Sequence, residues 1–184
     1  QAKEKVNDLK MEESVIKLLS IGRYCEAKNF DNVPAICKKI LQQGINLKWY
    51  IIGYGSDEAL IKQKIKENGM ENHVILLGKK NNPYPYMANC DIYVQPSRYE
   101  GKCVSVREAQ MLEKPVIITK YETSSSQLED GIDGIIVPLE NYACAEGIVR
   151  VINDKELQER LIKECKKRDY SNREEVEKIY RKLY

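Results

Sequence analysis

The sequence predicts an α/β protein built on a doubly wound, Rossmann-like parallel sheet of about six strands with helices on both faces. Two observations carry that reading. Short apolar runs alternate with stretches whose apolar residues recur at helical spacing. The runs are also nearly continuous rather than alternating, as expected of strands buried on both faces.

In order along the chain, Ser14 to Ile21 reads as a first buried strand ending at Gly22. Val33, Ile36, Cys37, Ile40 and Leu41 follow at helical spacing, with Pro34 tolerated in the first turn and Gly44 as a stop. Leu47 to Ile52 is the second strand. Ser56 is placed to cap the next helix, Asp57 and Glu58 suit its first turn, and Leu60, Ile61, Lys64 and Ile65 mark its stripe up to Gly69. Val74 to Leu77 is the third strand, and Pro83 to Asn89 a short helix. Asp91 to Gln95 is the fourth strand and leads into a helix bearing Glu108. Pro115 to Ile118 and Ile135 to Val137 complete the sheet.

The tail reads as helical. Asn153 with Glu156 and Ser171 with Glu174 have capping-box spacing, and Leu157, Leu161 and Cys165 form one stripe. Val176, Ile179, Tyr180 and Leu183 form another. The expected layout is a lead-in or interdomain linker over 1–13, one binding domain over 14–170, and a final crossover helix over 171–184. The charged, weakly patterned lead-in predicts a domain excised from a longer protein.

Composition excludes several functions. The 30 basic and 28 acidic residues nearly cancel, which removes a bulk electrostatic case for nucleic acid or an anionic membrane. No run reaches the roughly 18 apolar residues of a membrane span. The six cysteines fall at wide, irregular intervals without a C-x-x-C, and His73 is the single histidine. That pattern predicts scattered reduced thiols rather than a disulfide framework or zinc site.

Ligands of open parallel sheets bind at the carboxyl ends of the strands. Four segments are expected there: Gly22-Arg23 with Lys28, Gly53-Tyr54-Gly55, Gly78-Lys79-Lys80, and Ser97 to Glu108. Arg23 as a fork and Lys28 as a point charge suit a diphosphate, although two solvated loop cations fit the same residues. Gly53-x-Gly55 opens like a dinucleotide fingerprint, but its third glycine would fall at Glu58, so a nicotinamide or flavin role loses support. Neither a Walker A sequence nor a G-x-S-x-G elbow occurs.

The fourth segment is the most informative. Glu100 stands on the turn before a helix and Glu108 two turns inside it. Between them lies a helix start whose first amides lack internal partners and suit phosphate. Two hydroxyl-binding acids flanking an anion site describe a nucleotide-sugar pocket, and Glu108, among Val104, Val106, Ala109 and Leu112, needs a partner or a ligand. A pair of exposed helix acids is the plainer alternative.

Seven pieces in unbroken order carry a family resemblance: Gly22-Arg23-Tyr24 with Lys28 and Phe30-Asp31, Ile52 to Gly55, Val74 to Gly78, Asp91 to Ser97, Glu100-Gly101 to Glu108-Ala109, Lys114 to Ile117, and Asp130-Gly131 to Pro138. Together they resemble the C-terminal, donor-binding half of the family 4 retaining glycosyltransferases of the GT-B fold. The resemblance implies that Arg23 and Lys28 bind the donor diphosphate and converge at the helix start. It also implies that Glu100 takes donor-sugar hydroxyls and Glu108 the ribose. Gly22 is likewise implied to bind the donor nucleotide, backbone amides around Lys102, Cys103 and Val104 to meet sugar and phosphate, and Lys79 and Lys80 to lie against the base.

The implied substrate is a UDP- or GDP-hexose, used without cofactor or metal. The implied partner is an N-terminal acceptor domain of the same full-length protein, with no nucleic acid involved. Such a protein would act in bacterial surface-polysaccharide assembly in the cytoplasm, with peripheral membrane association through the missing half. The family usually has Gly-Phe-Gly where this chain has Gly101-Lys102-Cys103, and a glutamate common near Ser126 is absent, so the donor sugar stays open. A nucleotide-sugar epimerase on the same two-domain plan and a non-catalytic flavodoxin-like binding module are the alternatives. Arg23 disfavours a receiver domain, which would place acids after its first strand.

Overall fold

The structure is a computed structural model and describes residues 14–168. Six strands form one parallel sheet: β1 (Ile16–Ile21), β2 (Leu47–Ile52), β3 (Val74–Gly78), β4 (Ile92–Gln95), β5 (Val116–Thr119) and β6 (Ile135–Val137). Their order is β3-β2-β1-β4-β5-β6, all neighbours parallel. That is the order of a doubly wound sheet whose switch point lies between β1 and β4. The helices are α1 (Val33–Leu41), α2 (Glu58–Asn68), α3 (Tyr84–Asn89), α4 (Val104–Met111), α5 (Ser124–Gln127), α6 (Asn141–Asn153) and α7 (Lys155–Lys167).

The strand sequences explain the two layers. Successive side chains of a strand point to opposite faces, so a run without polar interruption feeds two cores. Leu18, Trp49, Ile51, Ile92, Val94 and Ile117 join one buried cluster with residues of α1, α2, α6 and α7. Their neighbours Leu19, Tyr50, Ile52, Tyr93, Val116 and Ile118 join the other, with Tyr86, Met87, Val106 and Ala109 of α3 and α4.

Several local expectations shift. The helix predicted to start at Ser56 starts one residue later: Asp57 precedes α2, makes no capping bond to it, and accepts from the Ser56 hydroxyl at 2.8 Å. Of the predicted α2 stripe, Ile61 and Ile65 are buried while Leu60 is exposed, because α2 covers the sheet with a narrow face. Asn153 closes α6 instead of capping α7. Asp154 takes that role, its carboxylate accepting from the Leu157 amide at 2.8 Å. Leu157, Leu161 and Cys165 are buried as their spacing predicts. The expectations for 1–13 and for the helix over 171–184, with its Val176–Leu183 stripe, lie outside the described residues.

The cysteines are unbridged, five of them buried and Cys25 half-buried. Burial pushes the thiols of Cys37, Cys90 and Cys144 up from 9.0 to about 12. An unfolded chain would release these protons near pH 9 while the folded chain holds them. The contribution of these thiols to stability is therefore constant below pH 9 and falls as pH rises from 9 towards 12. Urea unfolding should show a lower midpoint at pH 10 than at pH 7.5, and replacing the three thiols with alanine should flatten the difference. An unchanged midpoint in the natural chain would contradict the account.

Candidate donor site

The loops after β1 and β4 flank the switch point, so they set the site. The first loop turns through a single 3-10 turn, Glu26–Lys28. Its path is fixed by glycines in the loop that follows β2. A Cβ on Gly53 would sit 1.8 Å from the Gly22 carbonyl oxygen, and one on Gly55 2.2 Å from that of Tyr24. The Gly53-x-Gly55 pair therefore serves close backbone approach. Gly22 in turn lies under the stem of Lys28, whose Cε would be 3.0 Å from any Cβ there.

That stem delivers Lys28 to the second loop. Its Nζ donates to Glu100 Oε1 at 2.5 Å, and both side chains are largely buried. Ser97 Oγ donates to the same oxygen at 2.6 Å, and Gln95 Nε2 reaches it at 3.5 Å. Among the described residues no donor reaches Oε2 of Glu100, which leaves that oxygen open to a ligand hydroxyl. A carboxylate so buried is tolerable because an ammonium and a hydroxyl pair with it. Arg23 stands exposed on the same β1 loop, without a partner among the described residues. The structure thus brings Lys28 to the loop before α4 and leaves Arg23 exposed, without joining it there.

Helix α4 begins at Val104 and no side chain caps it. Alongside it opens a cavity of about 560 Å³ lined by Tyr84, Lys102, Cys103, Val104, Arg107, Glu108, Met111, Leu112, Ser126 and Gln127. Glu108 is half-buried there, and Tyr84 donates its hydroxyl to Glu108 Oε1 at 2.8 Å. That bond to a carboxylate pushes the Tyr84 phenol above its usual range. Lys102 is exposed at the cavity wall with no partner among the described residues.

Two expectations need correction. Val104 is not a core residue: it is 65% exposed and faces the cavity, while Val106 and Ala109 carry the packing. The Cys103 amide is not available to a phosphate, because it donates to Gln127 Oε1 at 2.8 Å; among the described residues the amides of Lys102 and Val104 are not so engaged. Lys79 and Lys80, like Arg23, Lys28 and Glu100, lie outside the lining of this cavity. The Lys79 and Lys80 ammonium groups stand over the rings of Tyr54 and Tyr86, at 5.2 and 5.3 Å from the centroids.

Other residues of the site were not singled out in the sequence. Gln127 accepts from the Cys103 amide and donates to the Gly101 carbonyl at 3.2 Å, while Thr123 Oγ1 donates to the Glu100 carbonyl at 2.6 Å. Both brace the Glu100–Cys103 loop from α5 and the turn before it. Burial keeps the Cys103 thiol above its usual range, 3.3 Å from Ser105 Oγ. The Tyr121 hydroxyl is buried without a partner among the described residues. No group of three or more His, Cys, Asp or Glu at metal-binding spacing occurs among the described residues, and no helix among them is long and apolar enough to cross a membrane.

Comparison with known proteins settles the family. Residues 1–168 match the family model described as "Glycosyl transferases group 1". The chain belongs to that family. The Staphylococcus aureus capsular polysaccharide biosynthesis glycosyltransferase CapM is 30% identical to this group 1 glycosyl transferase domain over 193 residues, covering 97% of this chain and 51% of its own. The chain spans about half the length of the curated relatives it matches.

Among solved GT-B structures, a mutant of S. aureus TarM in complex with fondaparinux, alpha-GlcNAc-glycerol and UDP superposes with a TM-score of 0.81 at 24% identity. It covers 91% of this chain and 35% of that one. The C-terminal domain of the group 1 protein LpcC from Francisella tularensis gives 0.71 at 21% identity, with 82% of each chain covered. At these identities the likeness establishes the fold.

Proposed function

We propose that this group 1 domain is the donor-binding half of a retaining glycosyltransferase. It takes a UDP- or GDP-hexose and, with an N-terminal acceptor half, passes the sugar to a glycan or lipid-linked acceptor in surface-polysaccharide assembly. The observation that carries the reading is the uncapped start of α4, held between the Lys28–Glu100 pair and Glu108 in the cavity wall. The UDP present in the TarM complex and the capsular role in CapM's name support it.

In this reading Glu108 accepts from the ribose hydroxyls. The open Oε2 of Glu100 accepts from a donor-sugar hydroxyl. The helix dipole, the Lys102 and Val104 amides, Lys28 and Arg23 stabilise charge on the departing diphosphate, an electrostatic task set up before the reaction begins. Side-chain cations and amides supply that neutralisation without a metal. The protein works in the cytoplasm, against the inner membrane face through its other half, and this half alone binds donor without transferring sugar.

Calorimetry of the chain with UDP and with GDP, each with and without EDTA, tests the reading. One nucleotide should bind at a single site with an affinity that EDTA leaves unchanged. Failure of both nucleotides to bind would overturn it, and loss of binding in EDTA would remove its metal-free part.

A further inference from the structure

The β1 and β4 loops are joined by a second ion pair that the proposed donor chemistry does not use. Arg98 forks onto Asp31, Nη1 to Oδ1 at 2.9 Å and Nη2 to Oδ2 at 2.7 Å. The same Nη1 donates to the Glu26 carbonyl at 2.6 Å, and the Arg98 backbone amide donates to the Ala27 carbonyl at 2.8 Å. Arg98 therefore grips two successive carbonyls of the 3-10 turn whose third residue is Lys28, and clamps the residue that leads on from that turn towards α1. On its own strand side it stands one residue after Ser97 and two before Glu100, the two groups that share an oxygen with Lys28. Neither Arg98 nor Asp31 lines the cavity.

A bidentate guanidinium–carboxylate pair fixes orientation as well as distance, in a way an ammonium cannot. Lys28 has a flexible four-carbon stem, and the 3-10 turn beneath it is three residues long. Holding its ammonium at Glu100 requires that the turn and the β4 loop keep one spacing.

We propose that Arg98 and Asp31 are positioning residues, a latch across the switch point that sets Lys28 against Glu100 and so holds the cation in place for a nucleoside diphosphate. The inference rests on the donor-binding reading. The latch touches no ligand: it acts through Lys28.

A double-mutant cycle separates this from a merely structural role. Affinity for UDP or GDP, whichever the wild-type chain binds, is measured for wild type, Arg98→Ala, Lys28→Ala and the double variant. Arg98→Ala should weaken binding about tenfold, within the range of coupling expected for residues joined through one hydrogen-bonded network. In the Lys28→Ala background the same substitution should change it by less than about twofold. Arg98→Lys, which keeps the charge but loses the fork, should fall between wild type and Arg98→Ala and serves in its place if that variant does not fold.

Wild-type affinity in folded Arg98 variants, or losses that simply multiply in the double variant, would overturn the latch. Lys28→Ala with wild-type affinity would instead remove the diphosphate role of Lys28 on which the latch depends. A wild-type chain that binds neither nucleotide removes the whole donor reading, and the latch with it.

Discussion

Glu108→Ala should weaken binding of the free nucleotide about 10- to 150-fold, the loss of charged hydrogen bonds to ribose worth about 1.5–3 kcal/mol. Glu108 faces the cavity with Oε1 already accepting from Tyr84. The tyrosine fixes the carboxylate's direction, so little reorganisation accompanies ribose binding. Glu100→Gln should behave differently. Its Oε1 is taken by Lys28 and Ser97, and among the described residues only Oε2 is left for a sugar hydroxyl. The substitution should leave free UDP or GDP within about threefold of wild type and remove the added affinity that the sugar supplies. Calorimetry with nucleotide and nucleotide sugar on both variants checks the division. Equal losses for both ligands in both variants would contradict it.

The second large effect is on stability. Trp49 is fully buried in β2, and its indole N–H donates to Ser20 Oγ at 2.8 Å; Ser20 in turn donates to the Val94 carbonyl of β4. One side chain thus fills the core on the α1 face and satisfies a polar chain across three strands. Trp49→Ala should cost about 3–5 kcal/mol, a large share of the roughly 5–15 kcal/mol that holds a domain together. Trp49→Phe keeps most of the volume and should cost less than half as much. Chemical denaturation would show the midpoint falling with an unchanged slope. A loss below about 1 kcal/mol for the alanine variant would mean that the core closes over the gap.

How far the sequence reveals this protein depends on the range of each interaction. β2 and β6 have the bounds their apolar runs predict, because Asn46 and Gly53 close one run and Gly134 and Pro138 the other, residues that favour turns over strand interiors. Glu100, Glu108 and Lys28 stand out as candidates in the sequence from their places at strand ends and at a helix start, and the structure brings Lys28 and Glu100 into an ion pair. The caps were misplaced by one residue at Ser56 and Asn153, since adjacent Ser, Asn and Asp residues are equally suited to that role and only the chain's entry angle chooses. Val104 turns to solvent, and helical spacing alone gives a stripe without saying where the stripe meets solvent. Tyr84, Gln127 and the Arg98–Asp31 pair were silent in the sequence. Their partners lie 24, 24 and 67 residues away, and only the strand order brings them together.

The most direct test is a crystal structure of the chain, or of its full-length parent, with the nucleotide that binds. The account predicts the diphosphate at the start of α4, with the Val104 amide and a cation of the β1 loop, Lys28 or Arg23, within about 3 Å of its oxygens. It also predicts the ribose hydroxyls on Glu108. A nucleotide seated away from α4, for instance against Lys79 and Lys80 with Glu108 still engaged only by Tyr84, would contradict it.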